Sequence, residues 1–354
     1  MSRPRLLYLS INDGTDTRIA KEIRSLASSF DITFVGVRQE DNGVNQLPSG
    51  VRQVVIPGRR RDPMTLARLF VAVYRLGPSR FESVHVVNEN LLLILAPLLL
   101  TSKNLVLDVF DSMFLKNGLL PRLFRWPLQW FAHVLADTVL VTDPERRRLI
   151  PVYLRGNVDV LPNFPVYSES ARPRRITMPG DPLRIFFSGS LASGRGIPFL
   201  EDLLASSPAV EVVAAGWIYD DAARRLCSRE RVSYQGIVSA EQAAKIACSC
   251  DFILCLYSPD VPNNIHASPN KIYDAALIGM PVIINAEVNA SEFVQSQGLG
   301  YVLQSYRPND PAAELSALLA YRDSRAGVFQ GTPPPRWVWQ SVEGCLLKSH
   351  LYPS

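Results

Sequence analysis

The chain lacks an apolar run long enough to span a bilayer. Its longest, Leu91 to Leu100, is about half of the roughly 20 residues a membrane helix needs. A secretory leader is lacking too: Arg3 and Arg5 precede an apolar stretch, but it stops at Asn12-Asp13-Gly14 without a small-residue cleavage site. Cysteine is sparse and wrongly spaced for zinc. Cys227, Cys248, Cys250, Cys255 and Cys345 are odd in number and have no histidine partners nearby. They read as small buried residues in a reducing cytoplasm, not as metal ligands or disulfides. Charge of one sign is also missing. A net +4 is a mild excess that by itself implies no nucleic-acid partner. The first loop carries one glycine, Gly14, where a dinucleotide fingerprint needs three. Internal repeats, low-complexity tracts and metal motifs are absent.

What is present is enough apolar sequence, 47% over 354 residues, for two globular domains. Arg5 to Ser10 reads as a buried strand, followed by a polar loop, a helix from Arg18 to Ser28 and a second strand, Asp31 to Val37. Further strands are expected at Val51–Ile56, Ser83–Val87, Leu105–Val109, Ala136–Thr142 and Val158–Asn163. Strands alternating with helices imply right-handed crossovers and a parallel sheet, with ligands gathered outside the strands' carboxyl ends. Asn12 to Thr15, Asn88-Glu89-Asn90 and Asp108 to Ser112 all fall there. Asp16 either caps the first helix or faces a ligand. Phe114 to Leu135 is rich in Phe, Trp and Arg. It is either an interfacial patch, which Arg59 to Arg61, Arg122 and Arg125 would support, or a core-packing helix interrupted near Pro127.

Tyr167 to Asp181 is Ser-, Pro- and Arg-rich and reads as a linker. The second half restarts with a strand at Leu183–Phe187 and a loop opening at Gly189-Ser190 and closing at Arg195-Gly196. Glycines there allow close backbone approach to a diphosphate, and Arg195 offers a fork of donors. The most informative stretch is Ile265 to Asn285, IHASPNKIYDAALIGMPVIIN. Ser268 is placed to cap a helix in which Pro269 is the first residue, Gly279 ends it and Pro281 blocks continuation. The first turn exposes unpaired N–H groups, a seat for phosphate. Lys271 in that turn opposes the helix dipole, which makes sense if it faces an anion.

Ser268-Pro269-Asn270-Lys271, Asp274 and Gly279 through Ile283 resemble the donor-site segment of retaining glycosyltransferases with the GT-B fold, family 4 in particular. Asp16-x-Arg18, Ala136 to Thr142, Val158 to Asn163, and Gly189 with Arg195-Gly196 carry the same resemblance, so it extends over nearly the whole chain. It implies two Rossmann-like, doubly wound parallel-sheet domains facing a central cleft. Residues 1–166 would bind the acceptor, 167–181 would link, 182–333 would bind the nucleotide sugar, and 334–354 would form a helix crossing back to the first domain.

The implied activity is metal-independent transfer of a hexose-like sugar from a nucleotide-diphosphate sugar to a glycan or lipid-linked acceptor. The setting would be bacterial polysaccharide, glycolipid or glycoconjugate synthesis, in the cytoplasm and in contact with the inner face of the membrane through the first domain. No cofactor is implied. Gly14, Gly189, Ser190, Arg195, Gly216, Gly236, Ile237, Tyr257, Ser268, Pro269, Asn270 and Lys271 would line the donor site, with Asp274 on the ribose hydroxyls. His266, Asp111 and Asp16 are the catalytic candidates, and Asn88, Glu89 and Asn90 face the acceptor. Two positions depart from the pattern. Phe110 stands where family 4 has a histidine, and His266 where it has a carboxylate. A non-catalytic subunit that scaffolds a partner transferase, and a nucleotide-sugar epimerase of the same fold, are therefore the alternatives.

Overall fold

The computed structural model describes residues 3–38, 47–60, 62–110, 112, 122–167, 178, 180–324 and 336–351. Asp111, the stretch 113–121, most of the 167–181 linker and the prolines at 333–335 lie outside the described residues. The chain forms two compact units, Met1–Asn163 with Trp339–Ser354, and Phe164–Val338.

In the first unit the strands are β1 (Arg5–Leu9), β2 (Asp31–Arg38), β3 (Arg52–Pro57), β4 (Ser83–Val87), β5 (Leu105–Val109), β6 (Thr138–Val141) and β7 (Val158–Val160). Between them run α1 (Thr17–Leu26), α2 (Pro63–Leu76), α3 (Glu89–Leu99), α4 (Arg122–Leu135) and α5 (Pro144–Leu149). The strands pair in parallel in the order β3-β2-β1-β4-β5-β6-β7. Helices cover both faces, so β4 and β5 are buried at every position, their apolar runs broken by Ser83, His85 and Asp108. The order reverses between β1 and β4, which opens a crevice at their carboxyl ends.

The second unit repeats the plan with β8 (Leu183–Leu191), α6 (Ile197–Ser206), β9 (Val210–Ile218), α7 (Asp221–Cys227), β10 (Val232–Tyr234), α8 (Ala240–Ala247), β11 (Phe252–Leu254), α9 (Pro262–Ile265), α10 (Asn270–Ile278), β12 (Val282–Asn285), α11 (Ala290–Ser296), β13 (Gly300–Leu303) and α12 (Pro311–Ser324). Its parallel order is β10-β9-β8-β11-β12-β13, so the reversal falls between β8 and β11. Short polar side chains start the helices. Asp16, Asp62, Asp143 and Asp220 each accept from first-turn N–H groups, and Ser239 with Gln242 forms a reciprocal capping box. The chain ends with α13 (Glu343–Leu351) packed on α1: Trp339 Nε1 donates to Ser25 Oγ at 2.8 Å, and Ser25 Oγ donates to Glu343 at 2.7 Å.

Three local expectations are corrected. Pro269, not Ser268, is the N-cap of α10, and no side chain caps that helix; Ser268 lies one residue too early for its hydroxyl to reach the first-turn N–H groups. Gly189 and Ser190 belong to β8 and not to a loop, because β9 also continues and pairs Gly189 with Gly216 and Ser190 with Trp217. Pro127 sits inside α4 without interrupting it. Three of its aromatics are also outside the core: Trp126, Trp130 and Phe131 are 56%, 41% and 39% exposed. No helix among the described residues is long and apolar enough to cross a membrane.

Candidate functional site

The β8/β11 crevice is where Arg195 and Lys271 meet. A short 3-10 turn, Ser193–Arg195, follows β8, and Gly196 adopts φ 94° to turn the chain into α6. A side chain at Gly196 would strike Leu256 Cβ at 2.9 Å, so glycine is required on both counts. The guanidinium of Arg195 lies 4.1 Å from the centroid of the Tyr257 ring, beyond the end of β11. Lys271, in the first turn of α10, reaches back to the same strand end, where its Nζ donates to Leu254 O at 3.3 Å. Neither cation forms a salt bridge among the described residues. Burial pushes Lys271 down to about 8, and the charge of Arg195 adds to that, while Asp274 opposes it. Beneath them the Cys255 thiol is raised to about 11 by burial and stays protonated.

A second group of side chains holds this geometry, and sequence reasoning missed it. The Tyr306 hydroxyl accepts from Gly196 N at 3.0 Å and donates to Ser193 O at 2.8 Å, closing the turn that presents Arg195. Glu287 accepts from Tyr306 N at 2.9 Å and from Asn285 Nδ2 at 2.9 Å. Asn285, fully buried, bonds both backbone groups of Tyr257, accepting from its N at 3.0 Å and donating to its O at 3.1 Å. Ser258 N donates to Gly194 O at 2.9 Å, tying the two strand ends together. The available signal was Asn285 itself, a polar residue closing the buried strand VIIN.

Around this pair the other expected donor residues are partly gathered. Gly189, Gly216 and Gly236 lie side by side on three neighbouring strand ends: Gly189 pairs with Gly216, and Gly216 N donates to Gly236 O at 2.8 Å. A Cβ on Gly216 would come within 2.0 Å of Gly189 O, so the middle of this edge must be bare backbone. Ile237 follows, 62% exposed. Asn270 and Asp274 are exposed on α10, and Ser268 and Pro269 precede it. His266 ends α9, and its Nδ1 faces Asn289 Nδ2 at 3.2 Å. An amide N–H can only donate, so Nδ1 accepts and the ring proton sits on Nε2. His266 therefore offers a donor where the resembled family offers a carboxylate acceptor.

In the first unit, the loop after β1 is organised by Asp13, which accepts from Thr15 Oγ1 at 2.7 Å. Gly14 adopts φ 84°, and Asp16 is the cap of α1. Asn88 has the rare φ of 68° for a non-glycine residue, and its Oδ1 accepts from Phe110 N at 2.8 Å, joining the ends of β4 and β5. Glu89 is buried and accepts from Ser112 Oγ at 2.8 Å; Asn90 is half-buried beside it.

Behind these strand ends lies a buried ionic group. Arg18 Nε donates to Glu22 at 2.7 Å and Nη2 to both oxygens of Asp108, while Phe110 stacks on the guanidinium at 4.3 Å. Tyr8 donates to Glu22 at 2.6 Å and stacks on His85 at 4.3 Å. His85 Nδ1 in turn contacts His350 Nε2 at 3.1 Å. Burial holds His85 well below its usual range and pushes Asp108 up, so the histidine is neutral and the Asp108 carboxyl has a raised affinity for a proton. Glu22, His85 and Asp108 are close enough to share an ion, but Arg18 already supplies both carboxylates with a positive partner.

No protein-family model matches the chain, and no curated protein sequence does. Solved structures do. Sucrose-phosphate synthase from Thermosynechococcus elongatus aligns over 98% of both chains with a TM-score of 0.75 and 14% identity. Anabaena Alr3699/HepE in complex with UDP and glucose aligns over 98% of this chain and 99% of that one, with a TM-score of 0.67 and 14% identity. A UDP-N-acetylglucosamine 2-epimerase aligns over 99% of this chain and 96% of that one, with a TM-score of 0.58 and 13% identity. With the two parallel sheets, these likenesses show the two-domain, Rossmann-like GT-B fold.

Proposed function

We propose that this protein transfers a sugar from a nucleotide-diphosphate sugar to a hydroxyl of a glycan or lipid-linked acceptor. The observation that carries this reading is the convergence of Arg195 and Lys271 at the β8/β11 crevice, beside the open N-terminus of α10 and a bare edge of glycine backbone. Departure of a nucleoside diphosphate from a sugar builds negative charge on the leaving phosphates. Two cations and a set of fixed N–H groups stabilise that charge where it develops. In this reading Asp274, exposed on α10, accepts from the ribose hydroxyls. In this reading His266, with Nδ1 held by Asn289, serves as a hydrogen-bond donor to a sugar oxygen through Nε2. Asp111 and Asp16 are the catalytic candidates proposed for the first unit, with Asn88, Glu89 and Asn90 on the acceptor side. Retention at the anomeric carbon is part of the proposal and is read from the anomer of the product.

A peripheral contact with an anionic membrane belongs to the same proposal. Trp126, Trp130 and Val134 recur every four residues and share one face of α4, where Trp126 Nε1 donates to the exposed Tyr153 hydroxyl at 2.8 Å; Arg147 and Arg148 on α5 are exposed too.

The first experiment is thermal stability of the full chain with UDP, GDP, dTDP, ADP and CMP and with their sugar conjugates. A ligand of the folded state raises the midpoint, so a selective shift names the donor and no shift with any of them overturns the donor site. Release of the nucleotide in the presence of an acceptor separates a transferase from a scaffolding subunit. Formation of an epimeric nucleotide sugar without an acceptor favours the epimerase reading, which the likeness to a 2-epimerase structure keeps in view.

A further inference from the structure

Lys271 carries a nucleophile that holding an anion does not use. Its Nζ donates to Leu254 O at 3.3 Å and lies 5.9 Å from the centroid of the Phe187 ring. The side chain is half-buried, and a Cβ at Gly189 would touch its Cε at 3.8 Å, so glycine leaves that side open. Lys103 and Lys245 differ: both are on the surface, 3.5 Å from Glu82 and 2.8 Å from Glu241. A carboxylate at that distance repels an anionic reagent, whereas the neighbour of Lys271 is the Arg195 cation. At about pH 7.5 roughly a quarter of Lys271 is the free amine, against about one in a thousand for a solvated lysine. The free amine keeps its bond to Leu254 O through one N–H and has a lone pair to spare. A desolvated lysine beside a second cation is an activated nucleophile.

We propose that Lys271 is a site of acylation by acyl phosphates, and that the modification closes the diphosphate site. The phosphate of such a reagent is drawn to Arg195, and its acyl carbon is one bridging oxygen away from phosphorus. The free Nζ adds to that carbonyl carbon. The bond from carbon to the bridging oxygen then breaks, inorganic phosphate leaves with the bonding pair, and the nitrogen gives its proton to the departing phosphate. Arg195 stabilises the negative charge that develops on the tetrahedral intermediate and on the leaving group. The product is a neutral amide, so a cation is lost where the diphosphate needs one. The regulatory consequence rests on the glycosyl-transfer reading; the acylation itself does not.

The test is a time course of the full chain with acetyl phosphate at about pH 7.5, read by peptide mass mapping. Lys271 gains an acetyl group at least about tenfold faster than Lys103 or Lys245, the two internal comparators. Inorganic pyrophosphate slows acetylation at Lys271 and leaves the comparators unchanged, and Arg195→Ala slows it at Lys271 alone. A rate at Lys271 no faster than at the surface pair, or one that pyrophosphate does not alter, overturns the proposal; both are read on the wild-type protein. Protein acetylated at Lys271 binds the cognate nucleoside diphosphate more than about tenfold more weakly, and unchanged affinity overturns the regulatory half. Selective, pyrophosphate-protected acetylation without any nucleotide-induced stabilisation leaves the modification standing and removes the donor reading. Nucleotide-induced stabilisation with unselective acetylation does the reverse.

Discussion

Arg18 and Asp108, ninety residues apart in sequence, meet through hydrogen bonds of 2.8 and 2.9 Å in the dry interior of the first unit. The pair fixes the start of α1 against the end of β5. Because Phe110 stacks on the same guanidinium, it also sets the side chain at the position where the resembled family has histidine. Glu22 shares the arginine, leaving one cation for two buried carboxylates.

Arg18→Met removes the guanidinium that Glu22 and Asp108 share while keeping most of the volume. Breaking a buried ion pair on one side costs about 3–5 kcal/mol, so chemical denaturation gives a midpoint far below wild type. Asp108→Asn, which keeps a hydrogen-bonding group and removes the excess negative charge, costs clearly less. Equal losses in the two variants contradict the charge imbalance.

Arg195→Ala and Lys271→Ala each weaken binding of the cognate nucleoside diphosphate by more than about tenfold, or 1.4 kcal/mol, by isothermal titration. Retained affinity in both variants removes the phosphate assignment.

Lys271 titrates near 8 in the free protein, below the value for a solvated lysine. Diphosphate affinity therefore declines as pH rises through about 8, when the ammonium loses its proton. Lys271→Arg flattens that decline, since a guanidinium stays charged. The free protein behaves oppositely. Between about 8 and the unfolded lysine value the unfolded chain binds more protons, so this group's contribution to stability rises with pH.

Tyr306→Phe deletes the hydroxyl that bridges Ser193 and Gly196 and leaves the ring in place. Nucleotide affinity drops about fivefold, the scale of one lost hydrogen bond. The Tyr306→Phe, Arg195→Ala double variant binds no worse than Arg195→Ala alone. Additive losses in that cycle mean that Tyr306 acts independently of the arginine.

Replacing Trp126 and Trp130 together with alanine reduces sedimentation with anionic vesicles and leaves nucleotide-induced stabilisation intact. Both side chains lie on the exposed face of α4, so a loss of folding is not expected from their removal. Undiminished sedimentation removes this face from the membrane proposal.

Much of the fold was legible because the strands are buried on both faces. Runs such as SVHVV and VIIN carry their own signature, and polar residues at their ends mark where a ligand gathers. Arg195 and Lys271 were legible for a related reason: glycine and a helix-start lysine are unusual unless something anionic approaches. Boundaries were less so. Gly189 looked like a loop residue because glycine is depleted from strands, and only its pairing with Gly216 shows why the strand continues. The α4 aromatics looked like core because large aromatics usually are, yet Trp126 and Trp130 face outward.

By itself the sequence determined two α/β units and the identity of the cations, since periodicity, turn residues and local charge are properties of neighbouring positions. The tertiary structure decided what holds those groups and what else they meet. The clamp of Asn285, Glu287 and Tyr306 on the Arg195 turn and the Arg18–Asp108 pair join residues far apart along the chain. Their strength comes from burial, which raises the cost of every unpaired charge and depends on the whole fold having closed around them.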